Sequence, residues 1–311
     1  MAEPSTAEVG VGDDSLHEPG GRPGWRERLT FTLADPAIGF GGVARMNLYP
    51  VEKITDATLN LFLPGEALVT TIGKGAFDRS TTVGRLTFEV LEPMKRWRIM
   101  CRDTALVFPR ATAAGLPKSG ERQGAAARIE LDLTLEAWSE PTGEVVRERH
   151  IDEQNFVQVI SNGWFEQAMH VTGSIKVGNR TGSFDAGGVR ERAWGGGAIV
   201  NQTAAATWLA TAFDADTSVS LRGATYAGKG TVDGWRTARG RLAWVERVPL
   251  EHATEGRLVR GVRAEFPGEV LRAEVIGTVP VREGRARVQQ SLVACRLGAR
   301  EAWGIAEFTT P

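Results

Sequence analysis

An all-β chain of antiparallel strands, arranged as a sandwich or as barrels, is what this sequence predicts, on two observations. Runs in which aliphatic and polar residues alternate recur along the 311 residues, and Gly, Pro and Asp punctuation such as Leu63-Pro64-Gly65, Phe266-Pro267-Gly268 and Asp233-Gly234 separates them at short spacing. In 129–136 the odd positions are aliphatic and the even ones polar, so a strand places Ile129, Leu131, Leu133 and Leu135 on one face. The same reading gives strands over 29–33, 43–48, 57–63, 67–72, 86–90, 97–101, 164–177, 207–213, 242–248, 259–266, 270–281, 287–297 and 302–308. Each half of the chain carries about enough of them for its own small barrel, although the letters show no repeat.

Two breaks interrupt the strands. The small and polar run 111–127, with Gly115, Pro117, Gly120 and Gly124, reads as a long surface loop. In 148–163 the spacing of Asp152, Phe156, Val157 and Ile160 predicts one short amphipathic helix, placed to close a barrel end. Residues 1–24, rich in Gly, Pro and acidic side chains and without an apolar run, read as a disordered tail and as neither a secretory signal nor a membrane anchor. A cytoplasmic location is the default expectation, and the sequons at Asn179 and Asn201 are expected to be chance matches.

Composition excludes several functions. A net charge of -1, from 37 Lys and Arg against 38 Asp and Glu, lacks the positive excess that binding nucleic acid through phosphates needs. There are two cysteines, Cys101 and Cys295, each in an apolar run and read as buried thiols. His17, His150, His170 and His252 are too dispersed for a local metal motif, so no metal is expected. The Gly-rich stretches at Gly39 and Gly195 lack the strand-loop-helix context and the Lys-Ser/Thr of a phosphate cradle. Neither a Gly-x-Ser-x-Gly elbow nor a His-Glu-x-x-His motif occurs.

Chemistry-bearing residues gather instead in 164–170 (Trp-Phe-Glu-Gln-Ala-Met-His) and 187–195 (Gly-Gly-Val-Arg-Glu-Arg-Ala-Trp-Gly). On extended strands Trp164, Glu166 and His170 share one face and Phe165, Gln167 and Met169 the other; Arg190, Arg192 and Trp194 share a face, with Glu191 opposite. A carboxylate beside guanidinium groups in an apolar barrel suits the positioning of a proton donor or of a polar substrate group. The plainer reading is an internal salt bridge of Glu166 or Glu191 with Arg190 or Arg192 that pins two domains together.

With these segments in hand, the opening 25–36 with Gly39-Phe40-Gly41-Gly42-Val43-Ala44-Arg45, the Glu166-Gln167 strand and Gly188-Val189-Arg190-Glu191-Arg192-Ala193-Trp194-Gly195 resemble the hydroxyneurosporene synthase-like (carotenoid 1,2-hydratase-like) superfamily from about Trp25 onward. The resemblance implies two consecutive lipocalin-like antiparallel β-barrels with at most short helices, over 25–178 and 179–311. It also implies hydratases and cyclases of isoprenoid, prenylated or polyketide substrates that use no redox cofactor. Where that family reads Gly-x-Arg-Asp-His-Ser-Trp-Gly, this chain keeps an acid as Glu191 but carries Arg192 at the imidazole position, and Arg does not exchange protons near neutrality. His170 on the nearby strand is the candidate substitute.

The sequence therefore points to a lyase (hydro-lyase) or an isomerase or cyclase that is cofactor-independent and acts on a hydrophobic isoprenoid- or polyketide-like molecule near the domain junction. Glu191, Glu166 and His170 are the candidate catalytic groups. Arg190, Arg192 and Gln167 would hold polar substrate atoms, and Trp164 and Trp194, of the nine tryptophans, would line an apolar wall. The alternatives are a noncatalytic carrier of a hydrophobic ligand and a scaffold whose Glu and Arg residues only bridge.

Overall fold

The computed structural model describes residues 5–19, 23–63, 67–109, 125–151, 157–196, 205–226, 229–283 and 286–310. Their strands form two antiparallel systems. The first holds β1 (Ser5–Ala7), β2 (Trp25–Asp35), β3 (Phe40–Tyr49), β4 (Ile54–Leu63), β5 (Ala67–Ala76), β6 (Thr82–Val83), β7 (Leu86–Glu92), β8 (Arg96–Pro109), β9 (Ala125–Ala137), β10 (Thr142–Ile151), β11 (Val157–Val177) and β12 (Arg180–Gly196). Because β9 pairs with both β8 and β11, a ring closes through β11, β12, β2, β3, β4, β5, β8 and β9. The length of β11, 21 residues, permits this: 157–166 pair with β10 and 169–177 with β9 along one edge, while β12 follows the other edge.

The second system is a closed barrel of β13 (Ala205–Asp214), β14 (Thr217–Tyr226), β15 (Lys229–Ala238), β16 (Arg241–Glu255), β17 (Leu258–Phe266), β18 (Glu269–Glu283), β19 (Ala286–Leu297) and β20 (Arg300–Thr310). The all-β, tandem-barrel architecture is thus the observed one. Strand β12, which the expected division at 178/179 gives to the second unit, pairs with β11 and β2 and belongs to the first ring.

Alternation explains the strands. Ile129, Leu131, Leu133 and Leu135 are all buried in the first core, with Leu29, Phe31, Leu59, Phe88, Trp97 and Val171. Leu209, Leu221, Leu250, Leu271, Val293 and Phe308 fill the second. Both thiols are buried and free, and burial pushes Cys101 and Cys295 up to about 12, which removes thiolate reactivity.

Three expectations are corrected. The helix over 148–163 is absent among its described residues: 148–151 end β10 and 157–163 open β11, in register with each other. Val157, Val159 and Ile160 are β-branched, and pairing with β10 outweighs the weak helical spacing. The expected loop 111–127 lies outside the described residues up to 124, and Ala125–Ala127 begin β9. The expected tail is also structured in part. Val11–Asp14 form a 3₁₀ turn, and Asp13 and Asp14 are buried against the end of the first barrel. Too few apolar residues suggested a tail that could not dock; ion pairs, the pairing of β1 with β10 and the packing of Val9 and Leu16 on the cores dock it.

The barrels meet through the outer faces of their walls. Ala34, Val43 and Phe62 of the first pack on Val279, Leu292 and Ile305 of the second, and Ala168 and Val189 pack on Ala210 and Trp235. Polar ties run alongside: Arg45 to Glu307 at 2.7 Å and Asn60 to Gln290 at 2.9 Å. Close approach requires Gly187, where a Cβ would stand 2.5 Å from the Ala212 carbonyl oxygen, a backbone atom that cannot swing aside. Gly187→Ala is therefore expected to cost about 1–3 kcal/mol through overpacking, read as a lower urea midpoint. An unchanged midpoint contradicts this account of the junction.

Candidate functional site

Strands β11 and β12 pair Glu166 with Glu191, Gln167 with Arg190 and Phe165 with Arg192. Side chains alternate across a strand, so the inner face receives Phe165, Gln167, Arg190, Arg192 and Trp194, and the outer face receives Trp164, Glu166, His170 and Glu191. The sequence-predicted residues are therefore split between two places.

The outer set sits at the barrel junction. Glu166 Oε1 accepts from Trp208 Nε1 at 2.8 Å and from Arg222, and its Oε2 accepts from Trp235 Nε1 at 2.8 Å. Arg222 also reaches Glu191 at 3.1 Å, and Arg28 Nε lies 3.5 Å from the same carboxylate. Trp208, Arg222 and Trp235 belong to the second barrel, so Glu166 and Glu191 bolt it to the first. Burial of Glu191 favours the neutral acid, but the charges of Arg28, Arg222 and Arg45 outweigh it and hold the carboxyl down to about 2. Trp164 lies under the Arg222 guanidinium at 4.3 Å and beside the exposed Trp244. His170 is half-buried on the outer wall, bonded to Asp185 at 2.7 Å and stacked on Trp138.

The inner set closes one end of the first barrel. Arg190 donates to Asp14 at 2.7 Å and twice to Gln167 Oε1, at 2.9 and 2.7 Å, while Phe165 and Trp97 face its guanidinium carbon at 4.9 and 5.4 Å. Gln167 in turn donates to the carbonyls of Met94 at 2.9 Å and Ser139 at 2.7 Å. Its amide is thereby fully committed, which leaves nothing for the substrate oxygen expected of it. Arg192 pairs with Glu27 at 2.6 Å and donates to the Ser15 carbonyl at 2.7 Å. The expected bridges of Glu166 or Glu191 with Arg190 or Arg192 do not form, because those pairs point to opposite faces; the partners are Arg222 and Arg28 outside, Asp14 and Glu27 inside.

Three groups in this inner cluster carry no sequence signal of a site: Asp14, His17 and Glu27. His17 stacks on Trp194, ring centroids 4.0 Å apart and planes 7° apart. Its Nδ1 is 3.1 Å from Glu27 and its Nε2 is 3.4 Å from Asp13. Asp14 also accepts from the Met94 backbone at 2.6 Å and from Trp97 Nε1 at 3.1 Å. The first two lie in a Gly- and Pro-rich opening without periodicity, where only tertiary contact reveals a role.

A cavity of about 400 Å³ opens beside this cluster, lined by Asp14, Leu16, Trp97 and Arg192 within and by Arg79 and Val90 at the exposed rim. No group of metal-ligating side chains occurs among the described residues. No helix among them is long and apolar enough to cross a membrane.

Fold and site together define a tandem eight-stranded barrel protein with a charged, aromatic chamber at one barrel mouth. The chain belongs to the family described as "Domain of unknown function (DUF7064)", whose profile matches residues 10–311. Among solved structures, a candidate AttH protein from Nitrosomonas europaea is similar with a TM-score of 0.58 at 11% identity over 92% of each chain. Kievitone hydratase from Nectria haematococca is similar with a TM-score of 0.56 at 10% identity, over 97% of this chain and 93% of that one. At such identities the likeness is one of fold. No curated protein sequence matches the chain.

The pH dependence of folding follows from Glu191. Its carboxyl is lowered from the ordinary 4.5 to about 2 in the folded protein. It thus contributes stability that is fully present above pH 4.5 and is lost as pH falls from there toward 2, roughly 3 kcal/mol in all. Urea unfolding of Glu191→Gln should show a smaller loss of stability between pH 5 and 3 than the parent. Parallel curves for the two proteins contradict this assignment.

Proposed function

We propose that this protein is a cofactor-independent acid–base enzyme, a hydratase, dehydratase or cyclase, acting on a hydrophobic isoprenoid- or polyketide-like molecule, as the hydroxyneurosporene synthase-like resemblance suggests. We further propose that its substrate sits at the mouth of the first barrel. The observation that carries the reading is the cavity of about 400 Å³ walled by Trp97 and Arg192, with His17 one residue beyond its Leu16 wall and held between two carboxylates. A volume of that size suits a small molecule. Kievitone hydratase, whose fold is similar, bears the name of a hydratase.

In this reading the apolar body of the substrate rests on Trp97, Leu16 and Val90. His17 exchanges the proton through Nε2, whose contact with Asp13, at 3.4 Å longer than that of Nδ1 with Glu27 at 3.1 Å, gives way to the substrate. Glu27 orients the ring and stabilises the imidazolium, and the Trp194 face packs against it. In the hydration direction the His17 proton adds to one alkene carbon and the oxygen of water to the other, and the proton that this water then loses returns to the imidazole; dehydration reverses each step. Glu191 and Glu166 hold the barrels together rather than deliver protons: the Glu191 carboxyl, held down to about 2, carries no proton near neutrality, and the oxygens of Glu166 are taken up by Trp208, Arg222 and Trp235.

A carrier is the second reading, favoured by the pairing of each buried arginine of the chamber with a carboxylate, Arg190 with Asp14 and Arg192 with Glu27. Native mass spectrometry of the protein from its source cells should reveal a retained apolar molecule. On incubation in ¹⁸O-water the enzyme converts that molecule, or its dehydrated partner, with exchange of one oxygen, and His17→Gln slows conversion about 10²-fold with ligand retained. A ligand returned unchanged by the parent protein assigns the carrier.

A further inference from the structure

The carboxylate that sits on Arg190 does not come from the barrel that binds it. Asp14 Oδ1 accepts from Arg190 Nη1 at 2.7 Å, and Asp14 Oδ2 accepts from the Met94 backbone N–H at 2.6 Å and from Trp97 Nε1 at 3.1 Å. These donors lie on β12, on β8 and in the turn between β7 and β8. Asp14 is supplied by the opening segment, which is no part of the ring of strands.

The barrel sets up this receptor without its occupant. Arg190 is aimed by two bonds to Gln167 Oε1, and Gln167 is anchored by the Met94 and Ser139 carbonyls. Phe165 and Trp97 flank the guanidinium. Met94 holds a φ of 61°, a left-handed conformation that a bulky side chain seldom adopts, in the turn that turns its N–H to Asp14. Donors fixed on rigid strands around one anion have the form of a binding site, and fastening a tail requires none of this anchoring.

The occupant is placed to exchange. Asp14, Trp97 and Pro93, the neighbour of Met94, all line the cavity, so a molecule there already adjoins the receptor. The apolar hold of the opening segment is slight: β1 pairs over three residues, Val9 and Leu16 are half-buried, and Val11 is 65% exposed. Its other ties are polar contacts of Ser15 and His17, and a segment so held opens at low cost. Departure of Asp14 alone would strand the buried Arg190 charge. An incoming carboxylate replaces it charge for charge, which a neutral oxygen does not.

We propose, independently of the reaction above, that the mouth of the first barrel is a carboxylate receptor in which Asp14 is a built-in stand-in. Its ligand is an ionised apolar carboxylic acid that displaces the opening segment, sets its carboxylate on Arg190, Trp97 and the Met94 N–H, and lays its apolar body in the cavity. His17 lies three residues beyond Asp14 on the same segment and is withdrawn with it. Occupation by an acid and proton exchange by His17 therefore exclude each other.

Hexanoate and hexanamide, alike in shape and different in charge, test this on the full chain at neutral pH. Hexanoate should speed amide hydrogen exchange across residues 10–17 saturably, by about tenfold or more, while Met94 stays protected because its N–H passes from Asp14 to the ligand. Hexanamide should do neither. Asp14→Ala removes the internal competitor and should bind hexanoate at least about tenfold tighter than the parent does by calorimetry. Acetate should raise the Tm of that variant saturably, and chloride at equal ionic strength should not.

Exchange across 10–17 that tens of millimolar hexanoate leaves unchanged makes Asp14 a permanent fastening and overturns the proposal. An equal effect of hexanamide overturns it too, as does exposure of the Met94 amide along with the segment. These readings need only the parent protein, so they decide the matter even where Asp14→Ala does not fold. None of them involves turnover, so the reaction proposed above stands or falls separately.

Discussion

Arg190, Glu191 and Arg192 are consecutive in sequence, yet on a strand paired on both edges they must face opposite sides of the wall. This alternation organises the molecule. Its inward members close the mouth of the first barrel, and its outward member, with Glu166 opposite it on the neighbouring strand, ties the second barrel on. Both faces are buried, so neither set of charges has access to bulk water, and each has to find its counter-charge within the protein.

The counter-charges come from segments remote in sequence. Arg222 of the second barrel answers Glu166 and Glu191, and Trp208 and Trp235 complete the acceptor set of Glu166. Asp14 of the opening segment answers Arg190, and Glu27 of β2 answers Arg192. Removing one member of such a pair strands the other in a low-dielectric site, which typically costs 3–5 kcal/mol. The opening segment is consequently part of the first barrel's mouth, and the junction is specified by charge as well as by the apolar contacts of Phe62, Leu292 and Trp235.

The strands were legible in the sequence wherever one face is buried and the other solvated, as at Ile129–Leu135, because burial then writes a period of two. That signal fades in β14, where Ser218 and Ser220 are as buried as Val219 and Leu221, since one face meets the barrel core and the other meets the first barrel. It fades in β10 and the start of β11, whose β-branched residues were given to a helix. At the site, alternation gives the residue faces of β11 and β12, and the Glu and Arg residues that it singles out are buried. Their partners were not legible, because Asp14, Ser15 and Arg222 lie 176, 177 and 31 residues from Arg190, Arg192 and Glu191, which they complete. No local pattern records so distant a pairing.

The claim that Glu166 bolts the barrels is tested most directly by a double-mutant cycle on Glu166→Gln and Arg222→Met, measured by urea unfolding at neutral pH. The account predicts a coupling of about 2 kcal/mol or more between the two, because Arg222→Met strands the buried Glu166 carboxylate without its cation, a cost that vanishes once Glu166 is Gln. A coupling below about 0.5 kcal/mol, the additivity found for independent sites, would contradict it.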